Sequence, residues 1–227
     1  MVAGTMDSSV KLDTWEKVAR FSDIHLVIKP SYLDRVNKRK YPVDAFSLGQ
    51  LASKAWLLAH LMAVAPRSAQ TAALLGCWIG SMVPMLHQNH SIGRVYGIDV
   101  DPHSIALAEE FNQELVNDNW RFKGVVADID LLDCADMQFQ TGGELIECKP
   151  DWVINTSCEH MSTHWFETVD TDQLIIMQTN NSPDFEGHIN TCDSVSDMQT
   201  KYPLSNVLYA GELITPAYTR YMQIGYR

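Results

Sequence analysis

Apolar positions recur along this chain in two rhythms, and the change comes near residue 66. Between Ala45 and Leu58, the residues Leu48, Leu51, Ala55 and Leu58 fall at i, i+3, i+7 and i+10, the spacing of one helical face. Residues 11–65 accordingly read as mostly helical, with Pro66 closing the last helix. Beyond residue 70, short apolar runs alternate with amphipathic stretches. They predict strands at about 70–76, 94–99, 122–127, 151–156, 173–179, 205–212 and 219–226, and helices near 80–88, 102–116, 159–167 and 194–200. Such alternation implies a mostly parallel, doubly wound α/β sheet with helices on both faces. Trp152-Val153-Ile154 suits a strand covered on both sides. No helix separates the last two strands, so Pro216 and the Thr215–Thr219 turn predict an antiparallel hairpin at one edge. The expected organisation is an N-terminal helical extension or lid over residues 1–66 and an α/β domain over residues 67–227.

The first strand–helix junction carries the clearest chemistry. Leu75-Gly76-Cys77-Trp78-Ile79-Gly80 is followed, 23 residues after Gly76, by Asp99 in Val95-Tyr96-Gly97-Ile98-Asp99-Val100-Asp101-Pro102. A glycine turn between a strand and a helix lets the backbone approach a ligand, and an acid at the end of the second strand accepts hydrogen bonds from ribose hydroxyls. Gly76, Gly80 and Asp99 are therefore candidate nucleotide contacts. Trp78 either packs in the core or offers its ring face to a cation. Asp101-Pro102 has the form of an N-cap with proline at the first helical position.

Later strand ends add candidates. Asp128, with Ile129 beside it, closes the third strand in Val125-Val126-Ala127-Asp128-Ile129-Asp130, as a ligand contact or as a turn aspartate. The fourth strand ends in Asn155-Thr156-Ser157-Cys158-Glu159-His160, delivering an amide, hydroxyls, a carboxylate and an imidazole to the crevice. Asn155 would orient a nucleophile and touch a cofactor, and Glu159 or His160 would take its proton. The competing expectation is a capping Thr156 or Ser157, with Glu159 and His160 as first-turn residues. Ser157, Gln178, Asn180, Asn181 and His188 are candidates for the substrate mouth, although loop asparagines also build turns. Gln50 and Lys54 would close over a ligand carboxylate from the N-terminal helix, and Arg220 reads as a surface arginine of the edge hairpin, with an anion clamp as the alternative.

Composition narrows the partners. With 17 Lys and Arg against 28 Asp and Glu, the chain carries a net charge of −11, which disfavours nucleic acid and suits a small or cationic substrate. Arg35, Lys38, Arg39 and Lys40 form one local basic cluster, expected as a solvated loop. Five scattered cysteines without a C-x-x-C pair argue against disulfides and structural zinc, and for a reducing, cytoplasmic setting. Cys158, His160 and His164 are close in sequence, but their spacing fits no standard site, and no metal is expected. No signal peptide is visible, and the apolar stretch Ala52–Ala65 contains Lys54 and His60 and is too short to span a bilayer.

These features together resemble the class I S-adenosylmethionine (SAM) methyltransferase family over roughly residues 50–227. Asn155–Met161, Gln178-Thr179-Asn180-Asn181 and Tyr209-Ala210-Gly211-Glu212-Leu213 are further similar to a set of short methyltransferase-like proteins common in phage genomes. The resemblance implies a Rossmann-like seven-stranded fold, SAM as cofactor with Asp128 near the adenine amino group, and methyl transfer to a small-molecule acceptor that releases S-adenosylhomocysteine (SAH). Two positions depart from the family's acid-x-Gly-x-Gly-x-Gly turn: Leu74 stands at the acid and Trp78 at the middle glycine. These departures leave open a SAM enzyme of other chemistry (cyclisation, lysis or aminocarboxypropyl transfer) that releases methylthioadenosine, and also a non-catalytic SAM-binding module. The Pro-Pro-Tyr-type motif of enzymes acting on flipped bases is absent, replaced by Asn155-Thr156-Ser157. No membrane partner is expected, and a homo-oligomer remains open.

Overall fold

The computed structural model describes residues 41–141, 143–215 and 217–227. The expected helices before residue 41, the basic cluster at Arg35–Lys40 and Pro216 lie outside the described residues. A seven-stranded sheet forms the centre, in the order β3-β2-β1-β6-β7-β9-β8. Its strands are β1 (Ser68–Leu75), β2 (Ser91–Asp99), β3 (Phe122–Val126), β6 (Trp152–Asn155), β7 (Leu174–Asn180), β8 (Asn206–Ile214) and β9 (Thr219–Tyr226). The first five run parallel, while β9 lies antiparallel between β7 and β8. All seven predicted strands are present within a few residues of their expected bounds.

Period-two alternation sorts the strand side chains into two cores. Ala72, Leu74, Trp152, Ile154 and Ile176 face a layer built on α1 (Leu48–Val64), α2 (Val83–Asn89) and α3 (Pro102–Phe111). Ala73, Leu75, Val153, Ile175 and Met177 face Trp165, Phe166, Met198 and Tyr202 on the other side. Those residues belong to α5 (His164–Glu167), α6 (Val195–Lys201) and the residue that follows it. With both faces covered, the strands have no polar alternation, which explains the continuous apolar runs.

Three expectations need correction, and one element is new. The helix expected over 102–116 breaks at Asn112 into α3 and α4 (Gln113–Asn117), because the Asn112 amide donates to Ala108 O at 2.9 Å and to Gly80 O at 3.1 Å. It thereby pins the helix to the first turn. The helix expected over 159–167 is instead a 3-10 turn (Cys158–His160) and the single-turn α5. A hairpin went unforeseen: β4 (Met137–Thr141) and β5 (Glu144–Cys148) pair antiparallel, with Gly143 at φ 83° in the turn. Leu48, expected on the buried helical face, is 57% exposed, while Leu51, Ala55 and Leu58 are buried as expected, joined by Leu57 and Leu61.

Candidate active site

The carboxyl ends of β1, β2, β3 and β6 open into a cavity of about 510 Å³. Parallel strands deliver their following loops to one edge of the sheet, so residues far apart in sequence meet there. Gly76, Trp78, Asp99, Asp128, Ile129, Ser157, Glu159 and His160 all line this cavity, as do Gln50 and Lys54 of α1.

The glycine turn is set by backbone geometry. Gly76 has φ 61° and Gly80 φ 65°, the left-handed region that glycine enters without cost. At Gly80 a Cβ would also stand 2.7 Å from Asn112 Nδ2, so no side chain fits. Gly80 contributes through the turn and is not among the residues lining the cavity. Trp78 adopts φ 49°, a conformation few non-glycine residues hold. The carboxylate of Asp99 stabilises it: Oδ2 accepts from Trp78 N–H at 2.9 Å and Oδ1 from Asp101 N–H at 3.0 Å. The Trp78 ring is half-buried, touching the core while also lining the cavity. The packing expected of it is thus present, and the same residue borders the cavity. Asp101 caps α3 by accepting from His103 and Ser104 N–H, as its Asp-Pro context predicts.

Opposite lies a set of buried polar groups. Glu159 is 2% exposed; its Oε1 accepts from Asn180 Nδ2 at 2.7 Å and lies 3.7 Å from Arg220 Nη2. Arg220 is 4% exposed and donates through Nη1 to Thr156 O at 3.0 Å. The expectation of a surface arginine is thus overturned: β9 inserts between β7 and β8, and Arg220 stands directly across from Asn180 in the pairing. The edge hairpin is only half at the edge. His160 lines the cavity with Nδ1 3.2 Å from Gly187 O, and its ring meets that of His188 edge-on at 4.6 Å. Burial also acts on Lys54: desolvation first, then the charge of Arg220, lower its pKa to about 7, while Asp44 opposes them. Its ammonium donates to Gln50 Oε1 at 2.8 Å.

Several predicted residues lie behind the wall. Asn155 is fully buried, with Oδ1 accepting from Ser157 N–H at 3.0 Å and Nδ2 against Met161 Sδ. It shapes the turn that presents Ser157, and does not line the cavity. Asn180 orients Glu159, and Asn181 accepts from Thr219 N–H, clasping β7 to β9. Gln178 exchanges hydrogen bonds with Ser53 and fastens α1 to β7. Cys158 and His164 do not join His160: Cys158 Sγ is buried against Asn155 O, and His164 lies 3.8 Å from Glu167 at the surface. His160 and His164, which a continuous helix over 159–167 would place on one face, are separated because residues 158–160 form a 3-10 turn. Burial raises the pKa of all five cysteines, and none is paired. Thiolate chemistry has no candidate here. Sequence reasoning passed over Asp130, which lines the cavity and accepts from Ser162 Oγ at 2.7 Å; its position two residues after Asp128 was the available signal.

The fold is that of known methyltransferases. Magnesium protoporphyrin IX methyltransferase from Synechocystis PCC 6803, with bound SAH, superposes with a TM-score of 0.58 at 16% identity, covering 97% of this chain and 95% of that one. N-methyltransferase NodS from Bradyrhizobium japonicum WM9, in complex with SAH, gives 0.55 at 10% identity, covering 94% and 98%. Geranyl diphosphate methyltransferase in complex with SAM gives 0.55 at 14% identity, covering 79% and 87%. No protein-family model and no curated protein sequence matches this chain. The Rossmann-like architecture is established, and at these identities the likeness is one of fold. No helix among the described residues is long and apolar enough to cross a membrane.

Proposed function

We propose that this chain binds SAM in the cavity and transfers its methyl group to a small-molecule acceptor. The observation that carries this is the convergence, on one cavity of about 510 Å³, of the glycine turn, the strand-terminal carboxylates and the Glu159–His160 turn, in a fold whose neighbours are crystallised with SAM or SAH. That volume suits a ligand of nucleoside size. Asp99 is placed for a ribose, since each of its oxygens accepts one backbone bond and retains a further lone pair. Asp128 and Ile129 stand at the neighbouring strand end for the adenine, and Gln50 and Lys54 for the carboxylate. Leu74, buried at the position of the family's acid, offers nothing to an ammonium group, which leaves Asp44, Asp130 and Glu159 as the lining carboxylates besides Asp99 and Asp128.

SAM, when bound, supplies an electrophilic methyl group on a sulfonium, so the protein's task is alignment and removal of the acceptor's proton. The Trp78 ring offers a face suited to a cationic sulfur. His160 is the better placed proton acceptor. Its Nδ1 faces a carbonyl oxygen and so carries the ring proton, which leaves the Nε2 lone pair free. Glu159, behind it, has Oε1 engaged by Asn180 and Arg220.

Incubation with SAM alone, and then with a metabolite extract, tests the assignment by mass spectrometry of the adenosyl products. SAH appearing only with extract supports methyl transfer. Methylthioadenosine from SAM alone would replace it with the second chemistry, which the strained Trp78 and apolar Leu74 favour.

Lys54 yields a pH prediction. Its pKa is about 7 in the free protein, lowered by burial and by the charge of Arg220 against the opposing pull of Asp44. A docked carboxylate favours the protonated amine and raises that pKa. Near pH 8, SAM binding should take up close to one proton, and affinity should fall about tenfold per pH unit above 7 until the raised pKa is reached. Calorimetry in buffers of different ionisation enthalpy measures the uptake. Equal uptake in wild type and Lys54→Met would remove Lys54 from the carboxylate.

A further inference from the structure

We propose that Glu159, His160 and His188 form a binding site for a divalent transition-metal ion on the Glu159–His160 wall of the cavity. One carboxylate oxygen of Glu159 and one ring nitrogen of each histidine all lie within 4.8 Å of one another. Ligands about 2.1 Å from a common ion stand roughly 3–3.4 Å apart, so closure asks for shifts of about an ångström or more.

Three features prepare these side chains. His160 Nδ1 lies 3.2 Å from Gly187 O, and His188 Nδ1 lies 2.5 Å from Ser182 O. A carbonyl only accepts, so both Nδ1 atoms carry the proton and both rings offer Nε2 as a lone pair. A hydrogen bond of this kind from the far nitrogen is what ordinarily orients a metal-bound imidazole. The third ligand is prepared differently. Glu159 Oε1 accepts from Asn180 Nδ2, while Oε2 is buried with no hydrogen-bond partner. A buried carboxylate oxygen without a donor costs free energy that a cation would offset.

The surroundings agree. Gly187 holds its carbonyl against His160 at φ 81°, and a Cβ there would stand 3.3 Å from His160 Nδ1, so the support itself requires glycine. Arg220 is the positive group facing Glu159, and it pairs with Oε1, away from the oxygen left free. Asp128 and Asp130 line the same cavity and offset its charge.

Two imidazoles and one carboxylate select Mn²⁺, Fe²⁺, Co²⁺ or Zn²⁺ over Mg²⁺ and Ca²⁺. Three protein ligands leave coordination positions open, and since Glu159 and His160 line the cavity, those positions face it. The class of ligand they take is an oxygen donor, a hydroxyl or carboxylate of the acceptor. That last clause rests on the methyl-transfer proposal, whereas the ion site does not. An ion there engages the His160 lone pair otherwise offered to the acceptor's proton; the acceptor oxygen then binds as its deprotonated form, its proton passing to solvent on binding.

The full chain, stripped with a chelator, is titrated with Mn²⁺ by calorimetry and by loss of the free-ion electron paramagnetic resonance signal, with SAM binding measured in parallel. We expect one ion per chain, weakened at least tenfold in His188→Ala and in Glu159→Gln, and unchanged in the exposed His164→Ala. In wild type, Mn²⁺ should broaden the ring signals of His160 and His188 first among the eight histidines, a readout that needs no variant to fold. Absence of saturable binding, or broadening confined to other histidines, would overturn the site. Mn²⁺ binding without SAM binding would leave the ion and remove the cofactor proposal, and the reverse pattern would remove only the ion.

Discussion

Arg220→Ala is expected to lower the melting temperature by roughly 6–20 °C, the largest stability change foreseen for a single substitution in the site. Arg220 and Glu159 are 4% and 2% exposed, and their charged groups lie 3.7 Å apart. Deleting one member of a buried pair leaves the other charge without compensation, at a cost of about 3–5 kcal/mol. In a domain of this size each kcal/mol moves the melting point by about 2–4 °C. Asn180 alone would remain to stabilise the carboxylate, and Thr156 O would lose its donor. The double variant Arg220→Ala/Glu159→Gln should recover much of the loss relative to Arg220→Ala, because neither charge is then left buried alone. Thermal unfolding of the four proteins closes the cycle. Additive single effects, each under about 0.5 kcal/mol, would show that the pair is not coupled.

Asp99→Ala should weaken SAM binding by about 1–3 kcal/mol, or roughly 5- to 150-fold. Two separate contributions act in the same direction. The ribose would lose its acceptor, and the first turn would lose the bonds that hold Trp78 and Asp101 N–H to the end of β2. Asp99→Asn separates them, because the amide oxygen still accepts one backbone bond while its nitrogen donates instead of accepting. If ribose contact dominates, both variants bind weakly but melt near the wild-type temperature. If the turn dominates, Asp99→Ala melts lower and Asp99→Asn recovers part of the difference. Wild-type affinity in Asp99→Ala would remove the carboxylate from the ribose site.

The hairpin β4–β5 shows how a visible pattern goes unused. Met137 and Phe139 are buried on alternate positions of a five-residue strand, but the interleaved Gln138 and the following Gln140, and the absence of a flanking helix, gave the stretch no place in an α/β rhythm. Asn112 shows the opposite case. No Gly or Pro marks a break there; the Asn112 amide bonds both Ala108 O, four residues back, and Gly80 O, 32 residues away, and the second partner is invisible in the local sequence.

What the sequence determined by itself was whatever depends on near neighbours. Apolar runs bounded by Gly, Pro and Asp place all seven strands, because burial and backbone preference act over a few residues. The Gly76–Gly80 turn and Asp99 were legible because a parallel sheet requires the first two strand ends to lie side by side, so a local pattern predicts a spatial one. What only the tertiary structure decided was which polar groups point inward. Asn155 turned back to bond Ser157 N–H, Asn181 and Gln178 became clasps between elements, and Arg220 became buried in the site. Glu159, His160 and His188 met through a loop after β7 rather than along one helix. A side chain's direction follows from partners delivered by distant segments, and a single chain read in order carries their identity but not their arrival.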